Sequence, residues 1–362
     1  MPNKESVPAG KPRETVYDWL RLIATLLVVL GHSFYLSNHT AIGSIDYVLP
    51  EAAAGHFAGG LLFLLDRASH FVYFFHMPLF FILSGAVLAL KPIPDLRKFT
   101  LSKVKRLLVP YWIYSFFYML PVKYLAGFYE GYTVPQVLWS FLKGGEDGHL
   151  WFLPALFFCM LLFAGLRKLL QRWTDSTLVP LAVCLVLAPL FGAPPGSVVQ
   201  FRTGISYLSY FAVGYWLQDL RNRRKPETPV QVFLMAAAAL AGTGICFVLG
   251  KSGSFLGVLS ISALLLCVSW FCVRLLKAFE RTGFWSFLMR NLFYIYIFHD
   301  PMEYVVLKVF MRPGMLESAG QCWLMVGLRF AGTLVLSLLL GECICRLKAH
   351  FTAKKKTAAI CS

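Results

Sequence analysis

Charge is what this sequence is short of. Asp, Glu, Lys and Arg together make up 14% of its 362 residues, where a water-soluble domain carries about 25%. A surface that faces water on every side cannot be built from so few. With hydrophobic residues at 58% and a mean hydropathy of +0.64, lipid is the expected solvent for much of the chain. Acids are the scarcer sign, 18 against 34 Lys and Arg, which leaves a formal net charge of +16. That excess would suit a nucleic acid, but the cations cluster in short stretches between apolar runs, which is a topology signal in a membrane protein. No nucleic-acid partner is expected. The nine cysteines show no Cys-x-x-Cys spacing, and Cys343 and Cys345 stand too close for a metal pair, so they read as small apolar packing residues. No two histidines share a helix at ligand spacing, and no metal or tightly bound cofactor is expected. The polar stretch through Asp18 leads into an apolar run without a small-residue cleavage site, so that run is expected to be a retained anchor. There is no internal repeat and no low-complexity tract.

What the chain does have is long apolar runs. A spanning helix needs about 20 mostly apolar residues. Ten candidate cores follow in order: Trp19–Tyr35, Phe71–Leu90, Leu107–Phe128, Leu150–Leu166, Leu178–Phe191, Ile205–Leu217, Val230–Leu249, Phe255–Val273, Leu292–Phe310 and Cys322–Cys345. The basic residues check this count. Lys4, Lys11 and Arg13 precede the first run; Lys91, Arg97, Lys98, Lys103, Lys105 and Arg106 fill the second connection. Arg167, Lys168 and Arg172, then Arg221 to Lys225, then Arg274, Lys277 and Arg281 fill later even ones, and Arg346, Lys348 and Lys354 to Lys356 end the chain. The odd connections are poor in cations. Positive charge therefore alternates with period two, which predicts an all-α, polytopic bundle of about ten transmembrane helices with both termini cytoplasmic. Residues 1–16 form the cytoplasmic N-terminal segment and 347–362 a basic tail. The longest outer connection, Leu36 to His70, is expected to fold over the outer mouth.

Ionisable residues inside a membrane are costly, and each is a functional hypothesis by default. In the first run Arg21 and His32 are eleven residues apart, which on a helix places them within roughly 20° of one face and about 16 Å apart along the axis. Asp18 and Thr25 lie near the same stripe. Such a stripe must face a bundle interior or a wet cavity. Alternatively Asp18 and Arg21 form an interfacial ion pair and His32 packs. An imidazole is the side chain best suited to act as a general base near neutral pH. His76 precedes Pro78, and Ser84-Gly85 closes the same run, where close helix approach is the favoured reading. Lys103 and Arg106 are helix neighbours that suit phosphates, or plain topology anchors. His149 and Trp151 open the fourth span, where Trp151 also suits an interfacial anchor. His299, Asp300 and Glu303 are hard to explain as lipid-facing, and Arg329, inside the tenth span, needs a partner.

These residues in this order resemble the acyltransferase 3 family. The likeness runs from Tyr17 to about Glu342. Arg21 and His32 match the family's Arg-ten residues-His pattern; Phe80-Phe81-Ile82-Leu83-Ser84-Gly85 resembles its Phe-Phe-x-x-Ser-Gly motif. Lys103 to Arg106, before Pro110-Tyr111, resembles its basic pair with Lys in place of the first Arg, which departs from bidentate phosphate binding there. His149 to Leu153 and Tyr294 to His299 are similar to further family segments. The resemblance implies a transmembrane acyltransferase domain over residues 17–346, in the cell membrane, that takes an acyl group, usually acetyl from acetyl-CoA as co-substrate, and places it on a hydroxyl of a glycan or similar acceptor. Lys103, Arg106 and Arg21 would bind the donor's phosphates, with His32 and Arg21 catalytic. His76, Ser84, His149, Trp151, His299 and Arg329 are the candidates for substrate contact. The alternative from another class is an exporter or flippase of polysaccharide or lipid-linked glycan, which needs no thioester donor.

Overall fold

The computed structural model describes residues 15–34, 37–40, 42–46, 56–194, 200–310 and 318–360. Lys4, Lys11, Arg13 and Arg312, and the middle of the Leu36 to His70 connection, lie outside these. The architecture is helical: α1 (Thr15–Phe34), α2 (His56–Leu88), α3 (Leu96–Lys103), α4 (Val109–Tyr114), α5 (Leu120–Leu125), α6 (Val134–Leu142), α7 (Phe152–Leu170) and α8 (Leu178–Phe191). It continues with α9 (Phe201–Ser206), α10 (Leu208–Asn222), α11 (Pro229–Val248), α12 (Phe255–Leu275), α13 (Lys277–Glu280), α14 (Gly283–Phe310) and α15 (Ala319–Ile360). One small hairpin, β1 (Ser37–His39) with β2 (Ser44–Asp46), pairs antiparallel after α1. Among the described residues six helices are long and apolar enough to cross a bilayer: α1, Gly60–Leu88 of α2, Gly148–Leu170 through α7, α11, α12 and Ala319–Phe351 of α15.

The helix starts are written locally. Asp95 caps α3 by accepting from the backbone of Arg97 and Lys98; Thr133 with Gln136 and Thr228 with Gln231 form capping boxes ahead of α6 and α11. Between α3 and α5 the helix widens twice into π turns, Val104–Leu108 and Ser115–Met119. Each stands just before a proline, Pro110 and Pro121. A proline ring collides with the carbonyl one turn back and offers it no N–H. A wider turn, closed by Val109 N–H to the Val104 carbonyl and Leu120 N–H to the Ser115 carbonyl, makes room for that carbonyl without ending the helix.

Two glycines set the closest crossing. A Cβ on Gly85 of α2 would lie 1.9 Å from the Phe211 carbonyl oxygen, and one on Gly214 of α10 would lie 1.9 Å from that of Ile82. The two backbones touch, as small residues permit in membranes. α1 lies against α2, α12, α14 and α15. Its first turns are tied to neighbouring elements by Tyr17 with Gln218 and by Trp19 Nε1, which donates to Glu280 at 2.5 Å.

One expectation is corrected. The stretch 56–70, read as outer connection, is the first half of α2. Its apolar residues fall at helical spacing, and Leu62 and Leu65 are buried against Cys322, Met325 and Val326 of α15. α2 is thus about 50 Å long at 1.5 Å per residue. Among the described residues, what remains of the connection is the hairpin, which sits on the turn after α5, with Ser44 N–H donating to the Phe128 carbonyl at 2.9 Å.

Candidate functional site

α14 carries a proline inside the helix, Pro301. Its missing N–H leaves the Ile297 carbonyl without its usual partner. His149, just ahead of α7, fills the gap: its Nε2–H donates to Ile297 O at 2.9 Å. Next to that carbonyl, Tyr118 from the second π turn donates to Phe298 O at 2.7 Å. The proline site in α14 is thereby held by two other elements, and Asp300 stands next to Pro301.

Asp300 is 2% exposed and both its oxygens face nitrogen groups at ion-pair distance. Oδ1 meets His32 Nδ1 at 3.2 Å and accepts from Tyr304 OH at 3.3 Å. Oδ2 meets Lys123 Nζ at 3.4 Å and His149 Nδ1 at 3.4 Å. Four elements, α1, α5, α14 and the turn before α7, therefore converge on one carboxylate. His299 lies between the other two imidazoles, its ring centroid 4.8 Å from His32 and 4.9 Å from His149. Its Nδ1–H donates to Tyr296 O at 2.7 Å, so Nε2 carries the lone pair, buried and without a hydrogen-bond partner among the described residues. Tyr73 of α2 packs on His32 at 5.2 Å and on His76 at 5.0 Å, and His76 Nδ1–H donates to Val72 O at 3.0 Å.

A second buried pair braces the end of α1. Arg329 of α15 and Glu303 of α14 meet at 2.9 Å, both fully buried. Arg329 Nη2 donates to the His32 carbonyl at 2.9 Å and Glu303 accepts from Ser33 Oγ at 2.9 Å. Ser69 of α2 donates to the Gly31 carbonyl at 3.1 Å. The carbonyls of a last helical turn have no intrahelical donor, so three neighbouring helices fix the backbone that carries His32.

The structure therefore brings His32, His149, His299 and Arg329 together, with His76 one ring further out. Arg21 is not among them: it sits near the other end of α1, half-exposed and 3.8 Å from Asp18, so the interfacial ion pair forms as well as the imidazole cluster. Lys103 and Arg106 lie where α3 enters the first π turn, Lys103 over the Phe99 ring at 5.0 Å. Burial and the Arg106 guanidinium hold the Lys103 ammonium below the ordinary lysine value. Ser84 is about 12 Å along α2 from His76, beside the Gly85 crossing, which fits packing. Trp151 stacks on Tyr207, which stacks on Phe81.

Sequence reading left out Lys123, Tyr73 and Tyr304, and it noticed Asp300 and Glu303 without giving them a task. Lys123 falls inside the expected third run, Leu107–Phe128. Its signal was its place in the apolar run Leu120 to Leu125, where a cation needs a buried partner. Chemically, an imidazole whose Nδ1 lies 3.2 Å from a buried carboxylate can serve as a base with an orienting acid. A carboxylate on Nδ1 fixes the imidazole tautomer and makes Nε2 the nitrogen that takes a proton.

A family model described as an acyltransferase domain matches residues 15–342 of the chain. No curated protein and no solved structure is significantly similar to it.

Proposed function

The chain belongs to the acyltransferase 3 family, and from that premise we propose that it carries acetyl, or a similar short acyl group, from its CoA thioester to a hydroxyl of a cell-surface or lipid-linked glycan. The observation that carries the mechanism is the contact between His32 Nδ1 and Asp300 Oδ1, 3.2 Å apart in a buried polar cluster. His32 Nε2 takes the acceptor's hydroxyl proton as the oxygen attacks the thioester carbonyl carbon. The tetrahedral intermediate then expels the CoA sulfur, the C–S bond breaks, and the thiolate recovers the proton from the imidazolium. Asp300 stabilises that imidazolium while it exists. No covalent enzyme intermediate is needed.

The donor's nucleotide lies at the basic end of the bundle, where Lys103, Arg106 and Arg21 neutralise phosphates, and the pantetheine arm reaches inward along the α1 stripe. That end faces the cytoplasm in a ten-span plasma-membrane arrangement with both termini inside, as the alternation of cations supports. His76 and His299 position the acceptor, while His149, expected to do the same, has both ring nitrogens turned to Ile297 O and Asp300. Arg329 acts from behind, through the His32 backbone. Ser84 and Trp151 lie off the cluster and have no step.

Two measurements test this. Mass spectrometry of surface glycans from cells with and without the protein should show a gain of one acyl unit per modified sugar. His32→Ala should accumulate and fold as wild type yet release no CoA thiol beyond background; retained turnover would remove His32 as the base.

A further inference from the structure

Lys123 is a buried cation the mechanism above does not use. Its side chain is 2% exposed. The ammonium has three donors, and three groups surround it: Asp300 Oδ2 at 3.4 Å, the Phe128 ring at 4.7 Å and the Tyr304 ring at 5.4 Å. Gly148, at φ +51°, leaves the space; a Cβ there would lie 3.0 Å from Nζ. With a carboxylate and two aromatic faces taking its donors, Lys123 has none directed at a substrate oxygen. Whatever it does, it does through Asp300.

We propose that Lys123 is a positioning residue that sets the basicity of His32 by half-neutralising the carboxylate they share. This inference rests on the assignment of His32 as the base. Asp300 alone would draw a proton onto His32 strongly and keep it charged, and a charged imidazole cannot accept a proton from the acceptor. The ammonium on the far oxygen weakens that pull. The other groups facing the pair are His149, His299, Glu303 and Tyr304 from α14 and the turn before α7, Tyr73 and His76 from α2, and Arg329 from α15. Glu303 and Arg329 offset each other; Glu146, buried on the turn before α7, also feels the Lys123 charge, but the carboxylate in contact with the ammonium is that of Asp300. In an interior of effective permittivity about 20, losing a unit charge at this range moves a neighbouring titration by about 1–2 pH units.

The experiment reads the protonation of His32 without requiring acyl transfer. Diethyl pyrocarbonate modifies only neutral imidazole, and peptide mass spectrometry resolves His32 from His149 and His299 as pH is varied in the purified full-length protein. In Lys123→Met the midpoint for His32 modification should rise by about one pH unit or more; in Lys123→Arg, which keeps the charge, it should stay at the wild-type value. Coincident midpoints in wild type and Lys123→Met would overturn the proposal. Should Lys123→Met not fold, Asp300→Asn is compared with the paired Lys123→Met/Asp300→Asn. The midpoint should be the same in both, and a rise in the pair would overturn coupling through Asp300. Where turnover is measurable, the acid limb of kcat/KM should move with the midpoint while KM for donor and acceptor holds. If the chemical titration behaves as stated but no acyl transfer is found, the functional reading fails and this one stands.

Discussion

Replacing Arg329 by Met separates what the buried pair does for stability from what it does for chemistry. Arg329 and Glu303 are both fully buried, 2.9 Å apart. Removing one partner leaves Glu303 as an uncompensated buried charge, at a cost of about 3–5 kcal/mol. Removing both, in Arg329→Met with Glu303→Leu, should recover most of that loss. Ser33 retains the Val29 carbonyl at 2.8 Å, and the remaining deficit is the His32 carbonyl left without its donor, about 1–3 kcal/mol. Turnover should not recover with stability. A hydrogen bond from a charged group is worth about 1.5–3 kcal/mol, so the paired variant should remain about 10- to 100-fold slow because the end of α1 is no longer gripped. Thermal melting of the purified protein in detergent reads the first quantity and initial rate of CoA thiol release the second. A paired variant restored in both would refute the clamp; a single variant as stable as wild type would refute the buried pair.

Three further outcomes follow from geometry already described. Gly85→Ala should lower the melting temperature sharply or prevent accumulation, since its Cβ would lie 1.9 Å from a carbonyl oxygen, whereas Gly165→Ala, with nothing within 4 Å, should be neutral or slightly stabilising. Gly148→Ala should cost about 1–2 kcal/mol from its left-handed backbone alone, and displace Lys123; melting and turnover should fall together. Lys103 is held below the ordinary lysine value, so as pH rises it loses its charge sooner than a free lysine does. KM for the acyl-CoA donor should accordingly climb on the alkaline side while kcat holds, and Lys103→Arg, whose guanidinium keeps its charge, should flatten that climb. An unchanged profile in Lys103→Arg would remove Lys103 from the donor site.

Much of the site was legible because a charge in an apolar run announces itself. His32, His299, Asp300, Glu303 and Arg329 all stood out on that ground. That His149 supplies the donor Pro301 denies to the Ile297 carbonyl was not legible, because the two are nearly 150 residues apart in sequence and nothing local ties them. Lys123 was missed for a related reason. It lies near the end of its apolar run, where cations normally reach for water, and only the fold shows Phe128, Tyr304 and Asp300 closing over it. Arg21 shows another case: its spacing puts it on the His32 face of α1 but about 16 Å away along the axis, so it lies beside Asp18 and outside the imidazole cluster. The first half of α2 was obscured by Gly55, Gly59, Gly60 and Asp66, which resemble a loop until α15 is seen to cover Leu62 and Leu65.

The two widened turns ahead of Pro110 and Pro121 bear on how such a chain can change over generations. Each inserts one residue more than a regular helix would hold, and one residue turns everything downstream by about 100°. Lys123 points at Asp300 only because both extra residues are counted in. Substitution within Val104–Leu108 or Ser115–Met119 alters a side chain facing its neighbours, but deletion of any single residue there would swing Lys123 out toward the bilayer and bring an apolar neighbour in. Length, more than identity, is what inheritance must preserve in this stretch.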